Sequence, residues 1–282
     1  MKVAIQGGRG SFHDIASRIH FGEEISIVEC DTFKKLCEVL ATDSSIDYAI
    51  MAIENSIAGS ILPNYKLLQH YNFSIVGEVQ LRIKQNLIAH PGAQICEITR
   101  VVSHYMALLQ CEDFLDKHPL IDRKEYHDTA DAVKFVKESG RKDWAAVASS
   151  YAAKLYGMNV LEAGIETVPQ NFTRFFVLTR DKKHKVEQAS KATLSFQLPN
   201  KVGALAEVLE IIVTNKVNLT KIQSLPIIGK PNEYTFYVDC EWDNYENFKR
   251  SISINSIVAD LKILGEYKKG EMIDDYTGGE PS

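Results

Sequence analysis

The chain has 282 residues, of which 45% are hydrophobic and 24% charged, a composition typical of a globular protein. Its length exceeds what one hydrophobic core usually organises, so we expect two domains. The formal net charge of -5 gives no reason to expect a nucleic acid or an anionic membrane as a partner, and no apolar stretch is long enough to span a bilayer.

Residues 1–180 alternate short apolar runs with amphipathic segments, a pattern typical of an α/β fold with parallel strands. The first run is too short for a signal peptide and is predicted to be a strand. The strands are predicted at residues 2–6, 25–30, 48–53, 74–83, 87–90, 98–103, 144–149 and 175–179. Apolar residues at helical spacing predict helices at residues 33–40, 105–117, 130–138 and 151–156.

A charge run at residues 180–185 is followed by a different pattern, and we place the domain boundary there. Beyond it, strands are predicted at about 193–198, 219–225, 234–240 and 262–267, with helices at 204–212 and 245–254. This βαββαβ order is ferredoxin-like. Residues 270–282 are polar and rich in glycine, and are predicted to be a disordered tail.

The five cysteines are scattered and include no CxxC pair. We therefore expect neither a disulfide framework nor a structural zinc site, and we expect a reducing, cytoplasmic compartment. No spacing of histidine and carboxylate residues suits another metal, and no G-x-S-x-G nucleophile motif occurs.

Four polar clusters follow or begin predicted strands, where open parallel sheets bind their ligands. Glycines in the first cluster would let backbone amides approach an anion. Its spacing also resembles a dinucleotide fingerprint, but His13 stands where a third glycine or alanine is expected. The clusters are Gly7-Gly8-Arg9-Gly10-Ser11-Phe12-His13, Glu54-Asn55-Ser56, Ser103-His104 with Gln110 two helical turns further on, and Thr173-Arg174.

Thr173-Arg174 combines a hydroxyl with a permanent cation just before an apolar run. The arginine fork matches a carboxylate, and the threonine hydroxyl supplies an adjustable hydrogen bond. The alternative is an arginine that caps a strand end at the surface, and His104 is equally open to a capping role. The four clusters together predict a site that binds a small polar anion and stabilises developing charge.

In this order the clusters resemble the prephenate dehydratase family, over residues 1–180. Residues 190–268 resemble an ACT domain, the amino-acid-sensing module of these enzymes. The matching stretches are Gly10-Ser11-Phe12, Glu54-Asn55-Ser56, Ser103-His104-Tyr105-Met106-Ala107-Leu108-Leu109-Gln110-Cys111, Asp128-Thr129-Ala130, Asn171-Phe172-Thr173-Arg174-Phe175, Gly203-Ala204-Leu205 and Asn218-Leu219-Thr220-Lys221-Ile222.

The resemblance implies a catalytic domain at residues 1–182 with two α/β lobes, like a periplasmic binding protein, the second lobe at about 78–165. It implies the loss of carbon dioxide and water from prephenate to give phenylpyruvate, without a cofactor or metal. The implied catalytic residues are Thr173, Glu54, Asn55, Ser103 and Gln110. The implied substrate-binding residues are Arg174, with the alternative of bracing the site, and Ser11, Ser56 and Phe175.

Regulation by L-phenylalanine in a homodimer or homotetramer is implied as well. The implied allosteric residues are Gly203, Ala204, Leu205, Asn218, Leu219, Gln223 and Ser224. The usual Glu-Ser-Arg-Pro stretch reads Gln223-Ser224-Leu225-Pro226, which weakens the expected binding of phenylalanine. Other departures from the family pattern are the Gly7-Gly8-Arg9-Gly10 turn, His13, Gln85 and Tyr105-Met106.

Three alternatives stay open at this stage. The same clusters suit a two-lobed binding protein without catalytic activity. They also suit an enzyme that acts on arogenate, the aminated analogue of prephenate. The third alternative is a nicotinamide-dependent dehydrogenase acting on the same substrate.

Overall fold

The computed structural model describes residues 1–227, 229–254 and 257–276. Its internal contacts group the chain into two compact units. The first unit comprises Met1–Leu67, Val79–Phe175 and the segment from Glu271 onward; the second comprises Leu68–Glu78 and Phe176–Gly270. The two units therefore divide between residues 78 and 79 and between residues 175 and 176, each time within a strand. The sequence predicted one boundary, in the charge run at residues 180–185.

The strands within the described residues are β1 (Lys2–Gln6), β2 (Ser26–Cys30), β3 (Tyr48–Asn55), β4 (Gly59–Ser60), β5 (Ser74–Arg82), β6 (Asn86–Ala89), β7 (Arg100–His104), β8 (Asp122–Tyr126), β9 (Trp144–Ala148), β10 (Asn159–Ala163), β11 (Phe172–Thr179), β12 (Lys191–Leu198), β13 (Asn218–Pro226), β14 (Tyr234–Glu241), β15 (Ala259–Tyr267) and β16 (Met272–Ile273). The α-helices there are α1 (Phe12–Phe21), α2 (Phe33–Thr42), α3 (Leu62–Tyr71), α4 (Tyr105–Gln110), α5 (Glu112–Asp116), α6 (Thr129–Ser139), α7 (Ser150–Tyr156), α8 (Ala204–Thr214) and α9 (Tyr245–Ser251). None of them is long and apolar enough to cross a membrane.

One sheet has the strand order β16-β5-β11-β3-β1-β2, with β4 paired to β3. Its strands β1, β2 and β3 are parallel, so their carboxyl ends meet at one edge. A second sheet, with the order β10-β6-β9-β7-β8, forms what we call the second lobe with helices α4 to α7. The rest of the first unit is called the first lobe. The mixed α/β fold with two sheets agrees with the sequence-based prediction.

The structure contains strands that the sequence pattern did not predict. Strand β8 is almost entirely exposed, and β10 is exposed at four of its five residues. Both lie at the edges of the five-stranded sheet, so they lack the apolar alternation by which a half-buried strand is identified. The predicted helix at 105–117 is wrong in one respect, because it is divided into α4 and α5 at Cys111.

The second unit contains a four-stranded antiparallel sheet with the order β13-β14-β12-β15 and the helices α8 and α9. This is the predicted βαββαβ order. Aromatic and aliphatic side chains, among them Phe196, Val238 and Phe248, are fully buried in its core. Lys191 is also buried in this unit, with its Nζ 3.0 Å from Oε1 of the buried Glu78.

The prediction of a disordered tail at residues 270–282 is wrong for residues 271–276. Strand β16 pairs with β5, placing Met272 beside Gln80 and Ile273 beside Leu81. Tyr276 is 4% exposed. The polar composition of this segment gave no indication of the short strand or of the buried aromatic ring that hold it in place. Residues 277–282 lie outside the described residues.

Candidate active site

A cavity of about 620 Å³ lies in the first unit, between the carboxyl ends of strands from its two sheets. Both lobes and the connection through residues 83–85 contribute to its wall. The lining residues are Gln6, Ser11, Phe12, His13, Asp31, Thr32, Phe33, Ala52, Asn55, Ala58, Ile61, Ile83, Gln85, His104, Met106, Ala107, Gln110, His127, Asp128, Thr129, Thr173 and Phe175.

Three helices begin at the wall of this cavity. The helices α1, α2 and α6 each have ten or more residues and begin at the wall, with the N-cap residues Ser11, Thr32 and Asp128. Each N-cap side chain accepts a hydrogen bond from a backbone amide of its own helix. The amides and the dipoles at such termini favour anionic groups.

Within the described part of the chain, the cavity wall contains no lysine or arginine. It does contain two carboxylates, those of Asp31 and Asp128. The sequence-based prediction assigned the binding of a substrate anion to the guanidinium of Arg174. The structure instead offers helix N-termini and neutral polar side chains for that purpose.

Asn55 and Thr173 come from neighbouring strands, β3 and β11, and meet at the cavity wall. Nδ2 of Asn55 donates to Oγ1 of Thr173 over 3.0 Å and to Oδ1 of Asn171 over 2.7 Å. Oδ1 of Asn55 accepts from the backbone amides of Ile57 and Ala58. These bonds fix which end of the Asn55 amide faces Thr173. Because the Thr173 oxygen accepts from an amide, its own proton is available for a substrate atom.

Arg174 lies on the opposite face of β11 from Thr173 and Phe175. Successive strand residues point to opposite faces, and the two flanking residues line the cavity. Its Nη1 lies 3.8 Å from Oε2 of Glu54, which is on the adjacent strand β3. Neither side chain lines the cavity. The geometry favours the bracing alternative for this pair over direct substrate contact.

Ser103 and Ser56 lie outside the cavity wall and bond to the backbone. Oγ of Ser103 is completely buried and donates to the carbonyl oxygen of Val147 over 2.6 Å, which joins β7 to β9. Oγ of Ser56 donates to the carbonyl of Gln170 and accepts from the amide of Phe172. Both hydroxyl protons are therefore engaged by backbone carbonyls, and neither serine lines the cavity.

Gln85 and Gln110 face each other at the wall, with Nε2 of Gln85 3.3 Å from Oε1 of Gln110. Gln85 is only 2% exposed, and its Oε1 has no hydrogen-bond partner within the described residues. A buried acceptor without a partner is costly, and a donor on a bound molecule would satisfy it. Gln110 was identified from the sequence, whereas Gln85 was noted only as a departure from the family pattern.

His13 lies in the first turn of α1, and its Nε2 accepts from the backbone amide of Ala52 over 3.3 Å. Its ring packs edge-on against Phe175, with the centroids 5.0 Å apart. Burial lowers the pKa of His13 to about 3. The ring is therefore neutral near pH 7, and its proton is on Nδ1.

His104 fulfils the capping role that the sequence left open, and it also lines the cavity. Its Nδ1 accepts from the amide of Met106 at the start of α4. Burial lowers the pKa of His104 below its ordinary value of 6.5, although the nearby Glu125 opposes this shift. The imidazole thus contributes Nε2–H as a neutral donor near pH 7.

Asp128 joins the two lobes at the glycine-rich turn. Its Oδ1 accepts from the amides of Ala130 and Asp131 and, at 3.4 Å, from the amide of Gly8. A Cβ on Gly7 would lie 2.3 Å from Oδ2 of Asp128, so the turn excludes a side chain there. Burial raises the pKa of Asp128 to about 6, although the three amides favour the charged form.

Five of the residues predicted at the site, Thr173, Asn55, Gln110, Ser11 and Phe175, line this one cavity. Of the other lining residues, the sequence placed His13 in the first cluster and Asp31, as a candidate ribose ligand, in the dinucleotide alternative; it predicted no site role for Gln85, Thr32 or Asp128. A signal was available for Asp31 and Thr32, since they follow the carboxyl end of the predicted parallel strand that became β2. Asp128 follows β8, whose exposed residues gave no strand signal in the sequence.

The comparisons with known proteins identify the family. Residues 3–183 match the family described as "Prephenate dehydratase". The chain belongs to the prephenate dehydratase family. A relative in Arabidopsis thaliana, named arogenate dehydratase/prephenate dehydratase 2, chloroplastic, is 34% identical over 279 residues, which cover 95% of this chain and 72% of that protein. Family members named prephenate dehydratase are hydro-lyases.

Two solved structures share the fold of this prephenate dehydratase family member. The protein described as "GqqA- a novel type of quorum quenching acylases" has a TM-score of 0.84 at 28% identity, covering 96% of this chain and 98% of that one. Prephenate dehydratase from Arthrobacter aurescens, in complex with L-Phe, has a TM-score of 0.82 at 24% identity, covering 100% of this chain and 92% of that one.

The residues predicted to be allosteric lie at two places in the second unit. Gly203 is the N-cap of α8 with a φ of 85°, and Ala204 and Leu205 form the first turn of that helix. The other predicted residues, Asn218, Leu219, Gln223 and Ser224, belong to β13, an edge strand of the four-stranded sheet. Leu225, which replaces the usual arginine, is buried in the same strand.

Proposed function

We propose that this family member converts prephenate to phenylpyruvate, carbon dioxide and water. The observation that carries the proposal is the hydrogen bond from Asn55 to Thr173 at the wall of a cavity surrounded by helix N-termini. An oriented hydroxyl is needed where the substrate hydroxyl departs. Amide donors are needed where the two substrate carboxylates bind.

The proposed reaction breaks two bonds and forms the aromatic ring. The electrons of the bond to the departing carboxylate enter the ring, and the hydroxyl group leaves with its bonding electrons. It takes up one proton from solvent, so that the prephenate dianion and one proton give the phenylpyruvate anion, carbon dioxide and water. Aromatisation drives these steps, so no electron sink is required. Thr173 donates a hydrogen bond to the departing oxygen; because a threonine hydroxyl is a weak acid, it acts by positioning and by stabilising charge.

The neutral side chains around Thr173 support the same assignment. His13 and His104 are uncharged near pH 7 and supply N–H donors without a counterion of their own. Gln110 and Gln85 add amide groups on the side of the second lobe. Arg174 and Glu54 brace β11 and β3 behind this wall. Ser11 contributes the N-terminus of α1.

Arogenate is the alternative substrate, because it differs from prephenate only in carrying an amino group in place of the keto oxygen. The relative named above carries both activities in its name. The two carboxylates on the cavity wall, Asp31 and Asp128, are groups that an ammonium could approach. The ratio of kcat/KM for the two substrates decides between them.

The decisive experiment supplies purified protein with prephenate and, separately, with arogenate. Phenylpyruvate is measured by its ultraviolet absorbance in base, and phenylalanine by chromatography. Thr173→Val is the matched control, since it removes the hydroxyl and keeps the shape. Tight binding of prephenate without turnover would leave the protein as a two-lobed binding protein. Turnover only in the presence of a nicotinamide cofactor would favour the dehydrogenase alternative.

We further propose that the second unit is an ACT domain that binds L-phenylalanine in a homodimer or homotetramer. Its βαββαβ order and the position of β13 at the edge of its sheet support this assignment. The A. aurescens enzyme, whose fold this chain shares, was solved in complex with L-Phe. Light scattering with and without L-phenylalanine measures the oligomeric state.

A cytoplasmic location is proposed from the thiols. All five cysteines are free, and burial raises the pKa of Cys37, Cys111 and Cys240 to about 12. Such thiols persist in a reducing compartment. Localisation of the tagged full-length protein in its own cell tests this proposal, which a position outside the cytoplasm would overturn.

A further inference from the structure

The segment 271–276 returns the chain from the second unit to the first, and we call it the C-terminal strap. Its first part is β16, which pairs with β5 in parallel. Asp275 then lies 3.6 Å from Nζ of Lys84, in an ion pair whose side chains are about 40% exposed. The strap ends in a buried residue, Tyr276, which is 4% exposed.

Tyr276 contacts both lobes of the first unit. Its hydroxyl donates a hydrogen bond to the carboxylate of Glu23, just after α1 in the first lobe. Its ring packs edge-on against Tyr151 of α7 in the second lobe, with the centroids 5.4 Å apart. Tyr276 therefore contacts the first lobe through a hydrogen bond and the second lobe through its ring.

From Glu23, a chain of ion pairs runs inward along α1. Nη1 of Arg18 lies 2.9 Å from Oε2 of Glu23, and Nε of Arg18 lies 2.9 Å from Oδ1 of Asp14. The side chains of Arg18 and Asp14 are 7% and 0% exposed. The Arg18 guanidinium also lies over the ring of Tyr151, 5.8 Å from its centroid. Buried, charge-assisted bonds of this kind fix the orientation of their members.

The chain of bonds ends at the glycine-rich turn of the cavity. The second oxygen of Asp14, Oδ2, accepts from the backbone amide of Gly10 over 2.8 Å. Gly10 has a φ of +89°, and a Cβ placed on it would lie 3.1 Å from Cα of Ala152, so both the backbone and its surroundings favour glycine here. The next residue, Ser11, is the N-cap of α1 and lines the cavity.

We propose that Tyr276 is a positioning residue for the substrate cavity, acting through Glu23, Arg18 and Asp14 on the Gly10 amide. Through these bonds the strap fixes the position of the N-terminus of α1, which binds an anionic group of the substrate. The kinetic part of this inference rests on the proposed function, whereas its structural part does not. A strap that only covers the edge of β5 would stabilise the fold without affecting Gly10.

The test compares Tyr276→Phe with the wild type in two measurements. Hydrogen–deuterium exchange without substrate follows a peptide covering residues 7–13. We expect exchange in this peptide to become about 2- to 30-fold faster, the range that corresponds to the coupling energies of mutations along such networks. In steady-state kinetics we expect KM to rise by about the same factor, with little change in kcat, because binding and not the chemical step is affected.

Two further variants separate positioning from stability. Glu23→Gln should have effects at least as large as those of Tyr276→Phe, because it also weakens the ion pair with Arg18. Adding Tyr276→Phe to Glu23→Gln should change little, because Tyr276 acts through Glu23. Asp275→Asn is the matched control, since it removes a partly exposed ion pair of the same strap and should leave exchange and KM unchanged.

A lower melting temperature of Tyr276→Phe with unchanged exchange at residues 7–13 would overturn the proposal and leave the strap a structural element. If neither prephenate nor arogenate is turned over by the wild type, the proposed function fails. The exchange measurement still decides the positioning role in that case.

Discussion

Nδ2 of Asn55 lies 3.0 Å from Oγ1 of Thr173, and the direction of this hydrogen bond determines what the threonine can do. An amide nitrogen only donates, so the threonine oxygen accepts and its proton is directed elsewhere. The other contacts of Asn55, with Asn171 and two backbone amides, hold the donor in place. The pair is thus a preorganised donor at the cavity wall.

We expect Thr173→Val to lower kcat by about 100-fold or more, the usual effect of losing one preorganised donor. Valine keeps the shape of threonine, but the hydroxyl that stabilises the departing oxygen is lost. Thr173→Ser keeps the hydroxyl and should retain most of the activity. Turnover is measured as phenylpyruvate formation, and circular dichroism confirms folding. Activity of the valine variant close to wild type would remove Thr173 from the mechanism.

Asn55→Ala should lower kcat substantially in the wild type but hardly at all in a Thr173→Val background. The physical reason is that Asn55 acts by orienting a hydroxyl that the second variant no longer has. A double-mutant cycle on kcat measures this coupling. Ser56→Ala is the comparison variant; because Ser56 lies outside the cavity wall, we expect a change of about 2-fold or less. Additive effects would show that Asn55 and Thr173 act separately.

The sequence located Asn55 and Thr173 because each stands beside an apolar run at a strand end. Arg174 does not line the cavity, because residues 173 and 175 share one face of β11 and residue 174 points to the opposite face. Charge drew attention to Arg174, whereas alternation would have placed it correctly. His13 and Gln85 were not predictable in this way, because their importance depends on which strands and helices meet around them.

Because of His13, the free energy of unfolding should decrease as the pH falls below 6.5. Burial lowers the pKa of His13 from 6.5 to about 3 in the folded state. Between these values the unfolded state binds a proton that the folded state excludes, so stability falls by up to about 1.4 kcal/mol per pH unit. His13→Gln, whose side-chain oxygen can accept from Ala52, should lack this contribution.

The measurement is the free energy of unfolding of both proteins between pH 7.5 and pH 4.5. The difference between wild type and His13→Gln cancels the titration of other groups. It should favour the wild type progressively less as the pH decreases. A difference that is constant over this range would show that His13 titrates at its ordinary pKa in the folded protein.

Lys191→Met should destabilise the second unit by about 3–5 kcal/mol, because it removes the ammonium partner of a buried carboxylate. Nζ of Lys191 lies 3.0 Å from Glu78, whose side chain is 0% exposed. Lys269→Met is the matched control: Lys269 pairs with Glu241 at 2.8 Å, but its side chain is 58% exposed. For an exposed pair we expect a loss of about 1 kcal/mol or less. Denaturant unfolding measures the loss of stability in both variants. Equal losses would contradict the predicted difference between a buried and an exposed ion pair.

L-phenylalanine should raise the melting temperature if the second unit binds it. A ligand present at 100 times its dissociation constant stabilises the folded state by about 2.7 kcal/mol, and D-phenylalanine serves as the control ligand. Gln223 stands where the family usually has a glutamate, which predicts weaker binding of L-phenylalanine than in members that keep this charge. Gln223→Glu restores that charge on an edge strand and should enlarge the shift at a given concentration. Leu225→Arg is not a suitable companion, because Leu225 is buried and an arginine there would be desolvated. If neither the wild type nor Gln223→Glu responds to L-phenylalanine, this chain has lost the effector site implied by its family.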